Sequence, residues 1–304
     1  MGKISNPHDK YVKETLSKKE NAVDFLKNYL PNEILEIVNL DKLEIEKDSY
    51  VTEELQEYFT DLLYKVNIHK KESYIYFLFE HKSYPEKLIG IQLLEYLLQC
   101  WKAKIKQKEK LPIILPIVIY HGKPKWNIGM KFSDILEIED ERLKKYIPDF
   151  EYILYDLTKY RDENILGTEN LKIMMQLLKY IYSDELLKKL PNILKLLLKD
   201  GKIDVNTLKT ITIYLLSTTE IKLEDFIKLI EENVSKKGGE FSMSTLQRMM
   251  NESMEEGIQQ GMERGIERGR REERKALAKR MLRKGLDIEM ILEMTGLSRE
   301  DITK

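Results

Sequence analysis

Residues 73–85, SYIYFLFEHKSYP, constrain the fold of this chain more than any other stretch. From Tyr74 to Glu80, six of seven residues are aromatic or aliphatic and favour a strand, and Pro85 stops the run. The strand finishes on Glu80-His81-Lys82. Charge at the end of an apolar strand is costly to bury unless it is paired or used. Alternation puts Glu80 and Lys82 on one face and His81 on the other. A carboxylate and an ammonium group placed that way suit a metal ligand and a water-orienting cation. An isolated E-x-K, however, is more commonly a solvated charge pair.

The preceding stretch, DLLYKVNI at 61–68, alternates in the same manner and is joined by the short polar link HKKES. An antiparallel hairpin follows. With the loop at His69–Glu72, Ile68 opposes Ser73, Val66 opposes Ile75, Tyr64 opposes Phe77 and Leu62 opposes Phe79. A slip of one residue would lose the apolar matching. On the other face Asp61 falls opposite Glu80, which brings two carboxylates to about 5 Å at Cβ. They repel unless a cation lies between them, and oxygen ligands of this kind suit Mg²⁺ or Mn²⁺.

Asp61 followed by Glu80-x-Lys82 resembles the PD-(D/E)XK nuclease signature. Five blocks in order, NPHDKYVKETLS, DLLYKV, YIYFLFEHKSYP, LPIILPIVIYHG and GMERGIERGRRE, resemble the Rpn family of recombination-promoting nucleases, also labelled transposases. The similarity is clearest from about Pro7 to Trp126. It implies an α/β fold: a restriction-endonuclease-like core, a mixed sheet flanked by helices, then an all-helical region and a helical tail. The implied activity is Mg²⁺-dependent DNA cleavage that promotes recombination, by metal-activated hydrolysis of phosphodiester bonds. Asp61 and Glu80, with the backbone carbonyl of His81, would hold the metal, and Lys82 would orient the water. The resemblance favours Gln92 over Gln99 as a further catalytic residue, and adds Asp9, with His8, from the first helix. Capping of that helix is the structural alternative for Asp9.

Composition sets the limits. The 304 residues are 42% hydrophobic and 34% charged, with net charge −1, so the chain folds but carries no global basic field. The charge is unevenly spread. Lys102–Lys131 holds eight lysines and one acid, Ser133–Asp156 eight acids and three bases, and Arg264–Lys284 ten bases and three acids. The basic segments suit phosphates. Candidate nucleic-acid contacts are Lys102, Lys123, Lys125, Arg270 and Arg271, with Trp126 available for stacking. A single cysteine, Cys100, excludes an internal disulfide framework. No leader or membrane span is legible, so the cytoplasm is the expected location.

In chain order, periodicity predicts a helix over 8–30, ended by Pro31, and strands at 43–46 and 49–54. A helix follows over 86–107, with Leu93, Leu94, Leu97, Leu98, Trp101 and Ile105 on its core face. Strands come next at 111–122 and 152–157. Residues 1–163 form the nuclease-like core and 164–235 a helical subdomain. Residues 236–304 are a linker, Lys236–Gly239, and a helical tail for oligomerisation or DNA binding. That tail carries glycines at 257, 261, 265 and 269, and two short helices over 281–302 suggest a helix-turn-helix. DNA is the expected partner, and a homodimer or higher homo-oligomer the expected assembly. The competing function is a non-catalytic DNA-binding or assembly protein of the same fold.

Overall fold

The computed structural model describes residues 6–45, 62–68, 74–199, 202–283 and 287–298. The chain divides into two compact units between Met243 and Ser244.

In the first unit α1 (Pro7–Leu16) and α2 (Lys19–Tyr29) are two helices where periodicity predicts one. The break follows from side chains that take up the carbonyls at the end of α1. Asn21 Nδ2 donates to the Thr15 carbonyl at 2.8 Å, and the Tyr64 hydroxyl donates to that of Leu16. Satisfying those groups from outside lets the chain turn at Ser17-Lys18. The short helix α3 (Asn32–Leu35) leads into β1 (Val38–Ile45). The strand expected at 49–54 lies outside the described residues.

β2 (Leu62–Ile68) and β3 (Tyr74–Lys82) form the expected hairpin in the expected register, with Leu62 opposite Phe79, Tyr64 opposite Phe77 and Val66 opposite Ile75. Helix α4 (Ile89–Lys106) crosses over to β4 (Ile113–Tyr120), parallel to β3, and β5 (Ile153–Asp156) runs parallel to β4. The sheet has the order β1-β2-β3-β4-β5, antiparallel in its first half and parallel in its second. β5 pairs only from Ile117 onward, so Pro116 falls where β4 still has an open edge.

The two faces of the sheet bury different elements. Leu62, Tyr64, Val66, Ile117 and Ile119 pack against α1, α2 and a set of later helices. Leu63, Val118 and Tyr120 pack on the other face with Ile89, Leu93 and Leu97 of α4 and with Trp126. Leu98 and Ile105, read as part of the α4 core stripe, are exposed. The sheet covers only a narrow arc of that helix, so the edges of the stripe stay in water. The later helices are α5 (Glu169–Tyr180), α6 (Leu186–Lys195), α7 (Val205–Thr218) and α8 (Leu223–Asn233), with a two-residue hairpin, β6 (Leu198–Lys199) and β7 (Lys202–Ile203), after α6. Their apolar residues join the same continuous core as α1 and the sheet.

Lys236–Gly239 is not a linker but the first turn of the long helix α9 (Lys236–Arg283). A Cβ on Gly239 would overlap the Glu231 side chain, and one on Gly238 would press on Ile230 at 3.0 Å. The two glycines let α9 begin hard against α8. The four period-four glycines lie within α9. In the second unit, Met281 belongs to the last turns of α9 and does not start a new helix. Ala278 is buried with Ile291 of α10 (Ile288–Thr295) and Leu297, and Met281 packs against them. Residues 284–286 and 299–302 of the two short helices expected over 281–302 lie outside those described.

Candidate active site

Glu80 and Lys82 close β3 on the face covered by α4. Their parallel neighbours on β4 are Val118 and Tyr120, both in the core beneath that helix. The two charged residues are 5% and 9% exposed, so a solvated pair is excluded. Lys82 Nζ lies 3.0 Å from Glu80 Oε1. Gln92, in the first turn of α4, bridges the two: its Oε1 accepts from Lys82 Nζ at 2.7 Å and its Nε2 donates to Glu80 Oε1 at 3.0 Å. The same Nε2 donates to the Tyr96 hydroxyl at 2.7 Å. All three partners agree on one orientation of the amide. Gln92 and Tyr96 stand one turn apart on α4, so the helix carries both toward the strand end.

One oxygen of Glu80 is therefore committed to two partners. The other, Oε2, is buried with no hydrogen-bond partner among the described residues. A buried carboxylate oxygen left bare is expensive, and a hard divalent cation is the kind of group that would satisfy it. This donor fits Mg²⁺ or Mn²⁺. Asp61, expected as the second carboxylate, lies outside the described residues. Among those described, no group of three or more His, Cys, Asp and Glu side chains has a metal-holding arrangement.

His81 points to the opposite face, as alternation requires, and joins residues from distant parts of the chain. Its Nδ1 is 3.6 Å from Asp9 Oδ1 of α1. Its ring stacks on that of His121, the residue after β4, with centroids 6.0 Å apart. His121 lies 5.1 Å from the ring of His8 and is stacked on Tyr182 at 5.8 Å. His8 bonds Tyr214 of α7 through Nδ1 at 2.9 Å and Tyr182 through Nε2 at 2.8 Å. A neutral imidazole has one donor and one acceptor nitrogen, so one tyrosine donates and the other accepts. Burial, with His81 nearby, holds the His8 pKa down to about 4. Burial pushes His81 down as well, with Lys82 adding and Glu80 opposing. His121 is held well below the ordinary imidazole range, by burial first and then by His8 and His81. It is 1% exposed, and neither of its ring nitrogens has a hydrogen-bond partner among the described residues.

The strand ends on the two faces are tightly coupled. The His121 N–H donates to the Lys82 carbonyl at 3.0 Å, and a Cβ on Gly122 would overlap the Ser83 carbonyl oxygen. Asp9 thus stands beside the end of β3 through His81. The helix N-cap is Asn6, without a side-chain hydrogen bond, and Asp9 sits within the first turn. Tyr182 and Tyr214 carry no motif and are found only by the fold.

The expected nucleic-acid contacts divide. Lys102, Lys123, Lys125 and Arg270 are exposed, and Arg271 follows Arg270 in α9. Trp126 is 8% exposed, edge-on to Tyr120 and donating to the Ile128 carbonyl. It is a packing residue and is not available for stacking on a base, because the loop after β4 folds it back beneath α4. Cys100 is partly buried and forms no disulfide. No helix among the described residues is long and apolar enough to cross a membrane.

Residues 6–208 match the family described as "Putative transposase, YhgA-like", and residues 271–304 match "Rpn/YhgA-like nuclease family, C-terminal HTH domain". Recombination-promoting nuclease RpnC of Escherichia coli (strain K12) is 31% identical over 303 residues, covering 99% of this chain and 97% of that protein. RpnA, a recombination-promoting nuclease of the same strain, is 27% identical over 301 residues, covering 98% and 96%. The "Inactive recombination-promoting nuclease-like protein RpnE", again of that strain, is 28% identical over 302 residues, covering 98% and 97%. No solved structure matches.

Proposed function

The chain belongs to the Rpn/YhgA-like nuclease family, and from that membership we propose that it is a divalent-metal-dependent DNA endonuclease whose site is built on Glu80, Lys82 and Gln92. The reading puts the core among PD-(D/E)XK folds. In support stand the order of its elements, helix, three antiparallel strands, crossover helix and parallel strand, and the acid and lysine at the end of the third strand. Two relatives named as recombination-promoting nucleases and one named as inactive resemble the chain about equally, so similarity alone does not decide activity. The observation that carries the proposal is the half-satisfied carboxylate of Glu80: one oxygen fixed by Lys82 and Gln92, the other buried and bare.

In this mechanism Glu80, with Asp61 as a second carboxylate, would hold Mg²⁺ or Mn²⁺. When bound, the ion would supply a lowered pKa for water and Lewis-acid stabilisation of charge on the phosphate. Gln92 fixes the plane of the Glu80 carboxylate, and Tyr96 fixes Gln92. Lys82 keeps two of its three N–H donors on Glu80 and Gln92 and directs the third at the attacking water or a phosphoryl oxygen. Preorganisation in a buried site keeps that ammonium group from being screened by solvent. The C-terminal helix-turn-helix segment delivers DNA through its basic residues.

The test is incubation of supercoiled plasmid with Mg²⁺ or with EDTA, comparing wild type and Glu80→Gln. Nicking or linearisation that needs Mg²⁺ and disappears in the variant supports the assignment. A second reading, DNA binding without hydrolysis, is favoured by the similarity to a relative named inactive. It would be supported by folded wild type that shifts DNA as Glu80→Gln does but cleaves nothing.

A further inference from the structure

A cavity of about 490 Å³ lies between α1 and α7, on the sheet face opposite α4. Its size is that of a small-ligand pocket, and it shares no lining residue with Glu80, Lys82 or Gln92. Two helix faces form its walls. On α7 the lining positions 206, 210, 213, 214 and 217 follow the helical period, and on α1 positions 7, 10, 11 and 14 do the same.

The chemistry of the walls is specific. Three lysines line the cavity, Lys10, Lys18 and Lys209, against one acid, Glu14. Among the described residues the lysine ion pairs are made elsewhere, and none uses these three. Lys18 has one acid within electrostatic reach outside the groove, Asp204. Three lysines against one glutamate around one concavity, in a chain of net charge −1, make a locally basic site. The floor is apolar and rigid: Tyr11 and Tyr214 are stacked at 4.1 Å and 11°, both buried, and Ile213 lies beside them. Between rim and floor, Thr210 and Ser217 spend their hydroxyl protons on backbone carbonyls at 3.1 and 2.6 Å. Their oxygens remain as acceptors for N–H or O–H groups of a ligand.

We propose that this groove binds a nucleotide, its phosphate against the lysines and its base and sugar over the tyrosine floor. Inorganic phosphate would leave most of the cavity unfilled, and an apolar ligand would leave three cations unused. A nucleoside phosphate uses both, and the cavity has room for one or two such units. The same chemistry is offered by a free nucleotide and by the end of a single strand.

The test is calorimetric titration of the full chain in EDTA, so that divalent ions play no part. The probes are AMP, ATP, the dinucleotide d(pTpT), inorganic phosphate and hexaglutamate. AMP, ATP or d(pTpT) should bind saturably, and Lys10→Glu with Lys209→Glu should weaken that binding roughly tenfold or more. Both lysines are exposed, so the double variant should keep its fold. Ser217→Trp, which fills the groove without changing charge, should also abolish binding, and Glu80→Gln should leave it unchanged. Tighter binding of AMP and ATP than of d(pTpT) identifies a free nucleotide, and the reverse order a strand end. The proposal is overturned by no saturable nucleotide binding at millimolar concentration. It is equally overturned if phosphate or hexaglutamate binds as well as any nucleotide, or if binding survives both the charge reversal and Ser217→Trp.

Discussion

Lys82 Nζ and Gln92 Oε1 stand 2.7 Å apart, although one closes a strand and the other lies in the first turn of the next helix. That contact fixes α4 to the end of β3 at the point where the buried carboxylate of Glu80 keeps one oxygen free.

Gln92→Leu removes both bridging hydrogen bonds while keeping the side-chain bulk. Its carbonyl and amide only position their neighbours, so loss should resemble that of other outer-shell partners, about 10–100-fold in cleavage rate. Raising Mg²⁺ should restore part of the rate if Glu80 has merely lost its orientation. A Gln92→Leu protein with wild-type rate at every Mg²⁺ concentration would show that the bridge is irrelevant to catalysis.

Glu80 and Lys82 should be strongly coupled in stability. Their side chains are 6% and 10% exposed, so removing one strands the other as a buried, unpaired charge. Lys82→Met alone is expected to cost about 3–5 kcal/mol in urea unfolding. Adding Glu80→Gln to it should recover part of that loss. Simple additivity of the two would mean that water reaches both groups in the folded state.

The histidine cluster predicts acid sensitivity. His8, His81 and His121 all have folded pKa values below that of an unfolded histidine, about 6.5. Below pH 6.5 the unfolded chain takes up protons that the folded chain refuses. Their contribution is therefore complete above pH 6.5 and is lost as the pH falls toward 4. The steepest slope from one fully buried ring is about 1.4 kcal/mol per pH unit. His121→Phe keeps the stacking on Tyr182 and should flatten the decline measured by urea unfolding between pH 7 and 5. An unchanged slope in that variant would assign the acid sensitivity to other groups.

The C-terminal segment should carry salt-dependent DNA binding. Arg274, Lys279, Arg280 and Arg283 are exposed in the last turns of α9, within or beside the segment that matches the helix-turn-helix family. Reversing Lys279 and Arg283 to Glu, tested by fluorescence anisotropy over a salt series, should lower affinity and reduce the salt slope by about one per lost phosphate contact. Equal slopes in wild type and variant would place the DNA contacts elsewhere.

The hairpin register was legible because it depends on local rules. Leu62, Tyr64 and Val66 alternate, the link to Tyr74 is short, and only one pairing keeps the apolar side chains together. Glu80 and Lys82 were legible for the same reason: two residues apart on a strand, they share a face. Gln92 was a candidate through the family resemblance, which favoured it over Gln99, and its contacts with Glu80, Lys82 and Tyr96 came only with the fold. The single helix predicted over 8–30 failed because the group that helps end α1 is the Tyr64 hydroxyl, 48 residues away. The glycines at 238 and 239 read as a linker because nothing in their neighbourhood reveals that α8 must come close.

The sequence by itself determined the strand that carries the acid and the lysine, the register of its hairpin, and the helical character of the second half. All of these follow from periodicity and short-range sterics. Only the tertiary structure decided that Glu80 is half satisfied, that His8 meets Tyr214 across 206 residues, and that Lys10 of α1, Lys18 of the following turn and Lys209 of α7 line one cavity. Those facts depend on which helix covers which face of the sheet, and that is fixed by burial of the whole core at once.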